Sequence, residues 1–449
     1  MAEVKKAKAA PKKAAKKVVA KKAPTKKVAA KKAPTKKAPK KEKLKVVLAY
    51  SGGLDTSIII PWLIENYDCD VIAYAADVGQ GDIDAKALKK KAIASGAKKC
   101  YVLDLRKEFL EDYVWPTLRA GAKYENTYLL GTSFARPLIA KHQMLIAQKE
   151  GATAVSHGAT GKGNDQVRFE LTYLAIDPKI QIIAPWKDPK WTLSSREECI
   201  DYAEEKGIPL GGISKTKIYS EDGNLWHLSH EGGILEFPET EHNYDMLTMT
   251  NTYEKAPNKA EYVTVGFEKG NPVSVNGKKM GAIKLLEALN KIAGEHAVGL
   301  LDIVENRLVG LKSRGVYETP GGTVLYKAHE LLESLVLDKS TSQEKLHMAN
   351  TYANLVYNGE WFVPLRQALD AFVTETQKVV TGKVTLKLYK GNMIPTHISS
   401  PYSIYDDELG GFSDVETYNQ EDANGFIRCF GLPMVTRQLK LGDKSPVEF

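Results

Sequence analysis

The stretch that most constrains the fold is Val46–Ser57, an apolar run that ends in two consecutive glycines. The apolar residues Val46–Tyr50 have the length and composition of a buried parallel strand. Gly52 and Gly53 then let the backbone adopt unusual angles and let a ligand approach the main chain. After Asp55 the apolar residues take helical spacing, and a helix N-terminus offers free N–H groups and partial positive charge. Strand, glycine turn and helix start together predict a phosphate-binding loop.

This loop differs from two common phosphate-binding motifs. No Gly-Lys-Ser or Gly-Lys-Thr follows the glycines, as a Walker A loop requires, and the glycine spacing is not that of a dinucleotide site. A Gly-Gly turn that binds nothing is the structural alternative. The string SGGLDTS resembles the SGGxDS-type loop of the N-type ATP pyrophosphatases. That resemblance implies a loop that grips the pyrophosphate part of ATP while AMP is transferred to an oxygen of the substrate.

Length and composition limit the class of protein. A chain of 449 residues can form more than one domain, and its apolar runs are too short for a transmembrane helix. No apolar segment near the N-terminus suggests a secretory signal. The four cysteines are scattered without a C-x-x-C pair, which argues against a zinc ribbon or a redox motif. Free thiols in a reducing cytoplasm are the simplest interpretation.

The net charge of +8 is divided unevenly along the chain. Residues 1–43 contain 18 Lys and 2 Glu, which gives +16, so residues 44–449 carry −8. The unit KKAPTKK begins at Lys21 and again at Lys31. Repeated proline and dense like charge predict a disordered tail, resembling the Lys/Ala/Pro tails of linker histones. Such a tail either has no partner or contacts a polyanion such as nucleic acid, weakly and with strong salt dependence.

Strands and helices alternate from residue 44 to residue 210. The pattern predicts further strands over 70–77, 99–103, 153–156 and 181–184, and helices over 84–95, 106–118, 135–149 and 194–206, the last capped by Ser194. This order predicts an α/β nucleotide-binding domain over 44–210 with a doubly wound parallel sheet, whose ligands bind beyond the carboxyl ends of the strands. Residues 211–449, which include a hairpin over 262–275, predict a second, α+β domain.

A second glycine-rich segment, Ser156–Glu170, follows one of these strands. On a helix that begins near Asp165, Arg168 lies one turn later on the same face. Together they could hold a zwitterion, with Asp165 on its ammonium group and Arg168 on its carboxylate. The alternative is a surface loop with a local ion pair. For His157 a structural hydrogen bond is favoured over a general-base role.

The chain from Lys45 to about Leu439 resembles the argininosuccinate synthase family. The strings that carry this resemblance are AYSGGLDTS, YLLGTSFARP, SHGATGKGNDQVRFE, HLSHEGGILE, DIVENR and KSRGVYETPGG. The resemblance implies a ligase that joins citrulline and aspartate through citrullyl-AMP, with ATP as substrate, Mg²⁺ as cofactor, AMP and pyrophosphate as products and a homotetrameric assembly. It also implies that residues 211–449 form a synthetase and multimerisation domain with a C-terminal arm.

The resemblance assigns binding residues position by position. ATP would contact Ala49, Tyr50, Ser51, Gly52, Gly53, Leu54, Asp55, Thr56, Ser57, Ala76 and Gly158. Aspartate would contact Thr160, Asn164 and Asp165. Citrulline would contact Tyr128, Ser133, Asn164, Arg168, Ser220, Ser229, Glu305 and Tyr317. No dedicated nucleophile and no metal-binding side chain is implied, so Asp165, Asn164 and Arg168 would act by positioning.

Two other functions remain open at this point. The first is a tRNA-thiolating ATP pyrophosphatase, because a basic tail would suit RNA. Such an enzyme normally needs a sulfur-relay cysteine near its site. The candidates Cys69, Cys100 and Cys199 lie outside all the family strings given above. A nucleic-acid-binding protein that keeps a synthetase fold has only the tail in its support.

Overall fold

A computed structural model describes residues 43–81, 83–209, 219–411 and 418–444. The basic tail lies outside these residues except for Lys43, and so does the expected domain boundary at 210–211. Both therefore stay predictions. The residues from Lys43 onward belong to one unit by their mutual contacts.

The first half of this unit contains a five-stranded parallel sheet. Its strands are β1 (Leu44–Ala49), β2 (Cys69–Asp77), β3 (Lys99–Asp104), β4 (Ala154–Ser156) and β5 (Gln181–Ile183). Their order is β3-β2-β1-β4-β5, so the direction of winding changes between β1 and β4. The predicted doubly wound parallel sheet is confirmed, and this change of direction marks the usual ligand position in such sheets.

Helices cover both faces of this sheet. They are α1 (Leu54–Tyr67), α2 (Ala85–Ala94), α3 (Arg106–Glu108), α4 (Trp115–Arg119), α5 (Gly131–Glu150), α6 (Asp165–Ile176) and α7 (Arg196–Glu205). Val46 and Leu48 pack in one cluster with Ile60 of α1, whereas Val47 packs in another cluster with Leu138 of α5. Because successive strand residues point to opposite faces, the central strand is buried on both sides.

Two local expectations are corrected. The helix predicted over 106–118 contains a π-helical turn, Phe109–Val114, between α3 and α4. Ser195, not Ser194, caps α7, because Glu198 lies three residues after Ser195 and completes a capping box with it. Ser194 instead donates its hydroxyl to the Glu198 carboxylate.

The second half contains two antiparallel sheets. Its strands are β6 (Ser220–Gly223), β7 (Leu228–Glu231), β8 (Glu261–Glu268), β9 (Asn271–Val275), β10 (Lys278–Lys279), β11 (Leu300–Asn306), β12 (Lys312–Glu318), β13 (Gly382–Tyr389) and β14 (Asn392–Ser399). One sheet has the order β10-β9-β8-β13-β14 and includes the predicted hairpin, and the other has the order β11-β12-β7-β6. This arrangement confirms the α+β character expected after residue 211.

Within the described part of the second half, six α-helices accompany these sheets. They are α8 (Ala282–Glu295), α9 (Pro320–Val336), α10 (Lys339–Tyr357), α11 (Pro364–Thr376), α12 (Asp407–Gly410) and α13 (Asp422–Leu441). Every residue of α13 is at least partly exposed, including Phe426, Ile427 and Phe430. Among the helices that the structure describes, none is both long and apolar enough to span a bilayer.

Candidate active site

The glycine loop lies at the carboxyl end of β1. Gly52 has φ +79°, a region that favours glycine, and a Cβ there would come within 2.2 Å of the Leu88 side chain of α2. Gly53 precedes α1, and no side chain caps the first N–H groups of that helix. These free N–H groups make the loop a suitable anion site.

Side chains of the loop hold its shape. The hydroxyls of Ser51 and Thr56 lie 3.0 Å apart, and the buried Ser57 hydroxyl donates to Gly53 O at 2.7 Å. Ser57 thus supports the loop from within, while Ser51 lies at the exposed side. Lys91 of α2, to which the sequence analysis gave no role, donates to Gly52 O at 2.7 Å, and burial lowers the pKa of its ammonium group.

The second glycine-rich segment lies against this loop because β1 and β4 are neighbours. A Cβ on Gly158 would lie 3.2 Å from the methyl group of Thr56, and Ala76 lies near the carboxyl end of β2. His157 is buried; its Nδ1 accepts the Ala159 N–H at 3.2 Å, and its Nε2 lies 3.1 Å from Glu170. These contacts fit the structural interpretation of His157, which stays a prediction.

An ion-pair network surrounds Asp165, the first residue of α6. Arg168 lies one turn after Asp165 on the same helix, as expected, and the local ion pair of the alternative interpretation is present, with Arg168 Nη1 3.0 Å from Asp165 Oδ1. Arg136 of α5 donates to Asp165 at 2.8 Å and also to Asp222 of β6. Burial raises the pKa of Asp165, but the charges of Arg136 and Arg168 outweigh it, so the net pKa is lowered and the carboxylate is ionised. At Asp222 burial prevails and the net pKa is raised.

One face of the four-stranded sheet completes the site. Directly paired residues share a face, as do residues two apart along a strand. Tyr317 pairs with Ser229, Ser229 with Asp222, and Ser220 with Glu231, while Tyr317 pairs with Leu301 on β11. This register places the following residues on one face: Ser220, Asp222, Ser229, Glu231, Glu305 and Tyr317. A sheet face thus collects residues that are nearly one hundred positions apart.

Tyr317 and Glu305 form the buried part of this face. The Tyr317 hydroxyl donates to Glu305 Oε1 at 3.0 Å, and a Cβ on Gly315 would lie only 2.7 Å from that hydroxyl. Gly315 therefore leaves the space that the Tyr317 ring occupies. Burial raises the pKa of Glu305. Among the described residues, Glu305 Oε2 and Ser133 Oγ are buried without a hydrogen-bond partner. Buried polar atoms are normally satisfied, so both are candidates for substrate contacts.

The other residues predicted to contact citrulline or aspartate differ in how deeply they are buried. The Tyr128 ring centroid is 4.6 Å from that of Tyr317, and Ser133 lies one turn before Arg136 on α5. Asn164 precedes α6 and donates to the hydroxyl of Tyr357. Ser220 and Thr160 are exposed at the edges of the cluster.

Several side chains of the site were missed by sequence reasoning. Arg136 lies within the quoted string YLLGTSFARP, so that string was its available signal. His227 also lies within a quoted string; its Nε2 is 3.0 Å from the Thr132 hydroxyl. Burial, aided by the charges of Arg136 and Arg168, lowers the pKa of His227 to about 3. Asp222 and Tyr357 lie outside every quoted string, and no local pattern marked them.

Thiol and metal chemistry have little local support. Burial raises the pKa of the Cys69 and Cys199 thiols to about 11, so thiolate formation is disfavoured at neutral pH. Within the described ranges, no group of three or more His, Cys, Asp or Glu side chains is arranged to hold a metal ion.

Comparisons with known proteins agree with this architecture. A model described as arginosuccinate synthase N-terminal HUP domain matches residues 45–209, and one described as arginosuccinate synthase C-terminal domain matches residues 219–437. The chain is 61% identical to the argininosuccinate synthase of Desulforamulus reducens over 395 residues, which are 88% of this chain and 98% of that protein. It is 59% identical to the one from Clostridium perfringens strain 13 over 401 residues, 89% and 98% of the two chains.

A solved U34-tRNA thiolase from Methanococcus maripaludis is 14% identical, covering 39% of this chain and 60% of that one, with a TM-score of 0.25. That similarity is too low to support a shared function. The two family models together span both halves of the sequence, and the curated relatives align over nearly their whole length. On these grounds the chain belongs to the argininosuccinate synthase family of ligases.

Proposed function

We propose that this chain condenses citrulline with aspartate at the expense of ATP, through citrullyl-AMP, to give argininosuccinate, AMP and pyrophosphate. The observation that carries the proposal is the closeness of Gly158 to Thr56, where an added Cβ would lie 3.2 Å from the Thr56 methyl group. This closeness brings the glycine loop to the segment that bears Asp165 and Arg168. An anion-binding loop and a zwitterion-binding cluster then share one end of the parallel sheet. A reaction between ATP and amino acids needs this proximity.

The first step is adenylation of the citrulline ureido oxygen. A urea carbon is a poor electrophile because its nitrogens donate charge into the carbonyl, and adenylation converts the oxygen into a good leaving group. ATP is assigned to Ala49–Ser57, Ala76 and Gly158. The N–H groups at the start of α1, which no side chain caps, are assigned to the departing pyrophosphate, whose developing charge they stabilise.

Citrulline is assigned to the following residues: Tyr128, Ser133, Asn164, Arg168, Ser220, Ser229, Glu305 and Tyr317. The unpaired Glu305 Oε2 and Ser133 Oγ supply free acceptor and donor capacity inside the pocket. Arg168 supplies the positive charge for a carboxylate. These groups orient the ureido oxygen toward the nucleotide without a covalent step.

In the second step the aspartate ammonium group loses one proton to solvent, and the resulting amine attacks the activated carbon. The C–N bond forms as the C–O bond to AMP breaks, and AMP leaves. Thr160, Asn164 and Asp165 are assigned to aspartate, and the ionised Asp165 suits its ammonium group. Asn164 then lies where the two amino acids meet. Because no nucleophile of the protein takes part, the rate enhancement comes from positioning and electrostatics.

Magnesium is assigned to the substrate rather than to a protein cage. Mg²⁺ binds phosphate oxygens and keeps several waters, so few protein ligands are required. The polar loop over residues 51–57 is compatible with this arrangement, with Asp55 as its acidic side chain. When bound with ATP, the ion neutralises charge on the phosphates.

The assembly proposed for the chain is a cytoplasmic homotetramer. The exposed apolar side chains of α13, among them Phe426 and Phe430, supply a surface suited to a second subunit. The free thiols of the four cysteines fit a reducing compartment. For residues 1–43 we propose a weak, salt-dependent contact with polyanions.

The test is pyrophosphate release from ATP by the purified full chain, with citrulline and aspartate added singly and together. Release that requires citrulline, with full turnover only when aspartate is also present, is the expected result. Release that is indifferent to both amino acids contradicts the proposal and directs attention to another acceptor, with tRNA tested next.

A further inference from the structure

Tyr357 is the last residue of α10 and lies in the second half of the fold, yet it contacts the start of α6 in the first half. It is almost fully buried, with 1% of its surface exposed. Its hydroxyl accepts a hydrogen bond from Asn164 Nδ2 at 2.9 Å, and its carbonyl accepts one from Arg168 Nε at 3.0 Å. A single residue therefore binds two side chains that the proposed function gives to substrates.

The ring of Tyr357 is fixed as well. Its face lies parallel to the Tyr124 ring, with centroids 3.5 Å apart and planes 4° apart. The Arg168 guanidinium carbon is 5.0 Å from the ring centroid, within cation–π range. Gly359 has φ +79°, and a Cβ there would come within 2.7 Å of Arg168 Cα. The end of α10 is thus built to pack tightly against Arg168.

These contacts decide how the Asn164 side chain can meet substrates. The amide has two N–H donors and a carbonyl with two acceptor positions. Tyr357 takes one N–H, and the Leu308 N–H donates to Asn164 Oδ1 at 2.9 Å. One donor and one acceptor position remain, with their directions fixed. With one donor and one acceptor position free, the Asn164 side chain can form one hydrogen bond with citrulline and one with aspartate.

We propose that Tyr357 is a positioning residue for the amino-acid substrates, which orients the Asn164 amide through its hydroxyl and holds Arg168 through its carbonyl and ring. This inference rests on the proposed function, since it concerns the same substrates. Tyr357 does not touch ATP in this assignment. Loss of its hydroxyl therefore weakens amino-acid binding and spares nucleotide binding.

The test compares Tyr357→Phe with Tyr352→Phe in the full chain. Tyr352 lies on the same helix, is equally buried, and donates its hydroxyl to Asp370 at 2.7 Å, away from the site. Both variants lose one hydroxyl and keep the ring. For Tyr357→Phe we expect the KM values for citrulline and aspartate to rise about tenfold, the cost of one lost hydrogen bond, with an unchanged KM for ATP. Tyr352→Phe should leave all three KM values unchanged.

Binding measurements in an Asn164→Ala background decide whether the effect passes through Asn164. Removing the Tyr357 hydroxyl there should not change the citrulline and aspartate Kd values measured by calorimetry, even if the variant is less stable. Unchanged KM values in Tyr357→Phe, an equal rise for all three substrates, or a further loss of affinity in the Asn164→Ala background would overturn the inference. If the wild-type chain shows no citrulline-dependent pyrophosphate release, the proposed function itself fails.

Discussion

The glycine loop over residues 51–57 and the charged cluster around Asp165 are built in different ways. The loop is one run of neighbouring residues, and most of its hydrogen bonds stay within that run. The cluster takes side chains from α5, α6, α10 and one face of a four-stranded sheet. A local turn can be recognised by its own sequence, whereas a site assembled from distant segments depends on strand register and helix packing.

The two regions also differ in electrostatics. The loop offers main-chain N–H groups at a helix start, with Lys91 as a nearby cation. The cluster balances charges of both signs, among them the partly buried Arg136, Asp165 and Asp222 and the buried Arg168. The first arrangement suits an anion and the second suits amino-acid zwitterions. Substitutions in the two regions should therefore affect different substrates.

The largest effect is expected for Asp165→Ala. This change leaves Arg136 with Asp222 as a carboxylate partner but deprives the buried Arg168 of its ion pair with Asp165, which costs about 3–5 kcal/mol. We expect kcat/KM for aspartate to fall about a thousandfold while ATP binding stays near normal. Pyrophosphate release with varied aspartate, together with ATP binding by calorimetry, measures both quantities. Asp177→Ala, at the other end of α6, is the matched control. An equal loss of ATP binding and of kcat/KM for aspartate would contradict the assignment of the two regions to different substrates.

A smaller effect is expected for His227→Gln, which should change how the free energy of unfolding depends on pH. The pKa of His227 is about 3 in the folded chain and near 6.5 when unfolded, so below pH 6.5 the unfolded state binds the extra proton. The contribution of neutral His227 to the free energy of unfolding is therefore complete above pH 6.5 and is lost as the pH falls toward 3. Between pH 6.5 and pH 5 the wild type should lose about 2 kcal/mol more than His227→Gln, measured by urea unfolding.

The control for this pH experiment is His347→Gln, whose side chain is 81% exposed. It should follow the wild-type pH profile. An identical profile for His227→Gln and the wild type would show that the cluster does not hold His227 neutral.

Gly52→Ala should raise the KM for ATP about tenfold. The added Cβ meets Leu88 at 2.2 Å and the φ of +79° disfavours it, which together cost at least about 1 kcal/mol. We expect a higher KM for ATP and little change for the amino acids. Gly281→Ala is the control, since Gly281 also precedes a helix with a φ of −69° and a Cβ there would meet nothing within 4 Å. A rise confined to citrulline or aspartate would contradict the assignment of the loop.

Removal of residues 1–43 should have the smallest effect on catalysis, less than about twofold on turnover, because both regions lie outside the tail. Any DNA binding should disappear with the tail and, in the full chain, should fall steeply as salt is raised. Filter binding at several salt concentrations measures this slope. Salt-independent binding would rule out the electrostatic account of the tail, and loss of function on truncation would favour a nucleic-acid-binding protein over an enzyme.

Much of the first half was predictable because its signals are local. The strand before Gly52, the helix after it and the pair of Asp165 with Arg168 follow from patterns of fewer than twenty residues. The errors were local as well. The cap of α7 moved by one residue to Ser195, and the π-helical turn Phe109–Val114 had no recognised signal.

By itself the sequence determined the parallel α/β fold, the glycine loop and the family, because hydrophobic period, glycine position and motif order are properties of neighbouring residues. Only the tertiary structure decided that Arg136 joins Asp165 to Asp222 and that Tyr357 holds Asn164. These contacts join residues up to 193 positions apart. They depend on strand register and on the packing of α5, α6 and α10, because a buried charged or polar group is costly without a partner and these partners come from distant segments.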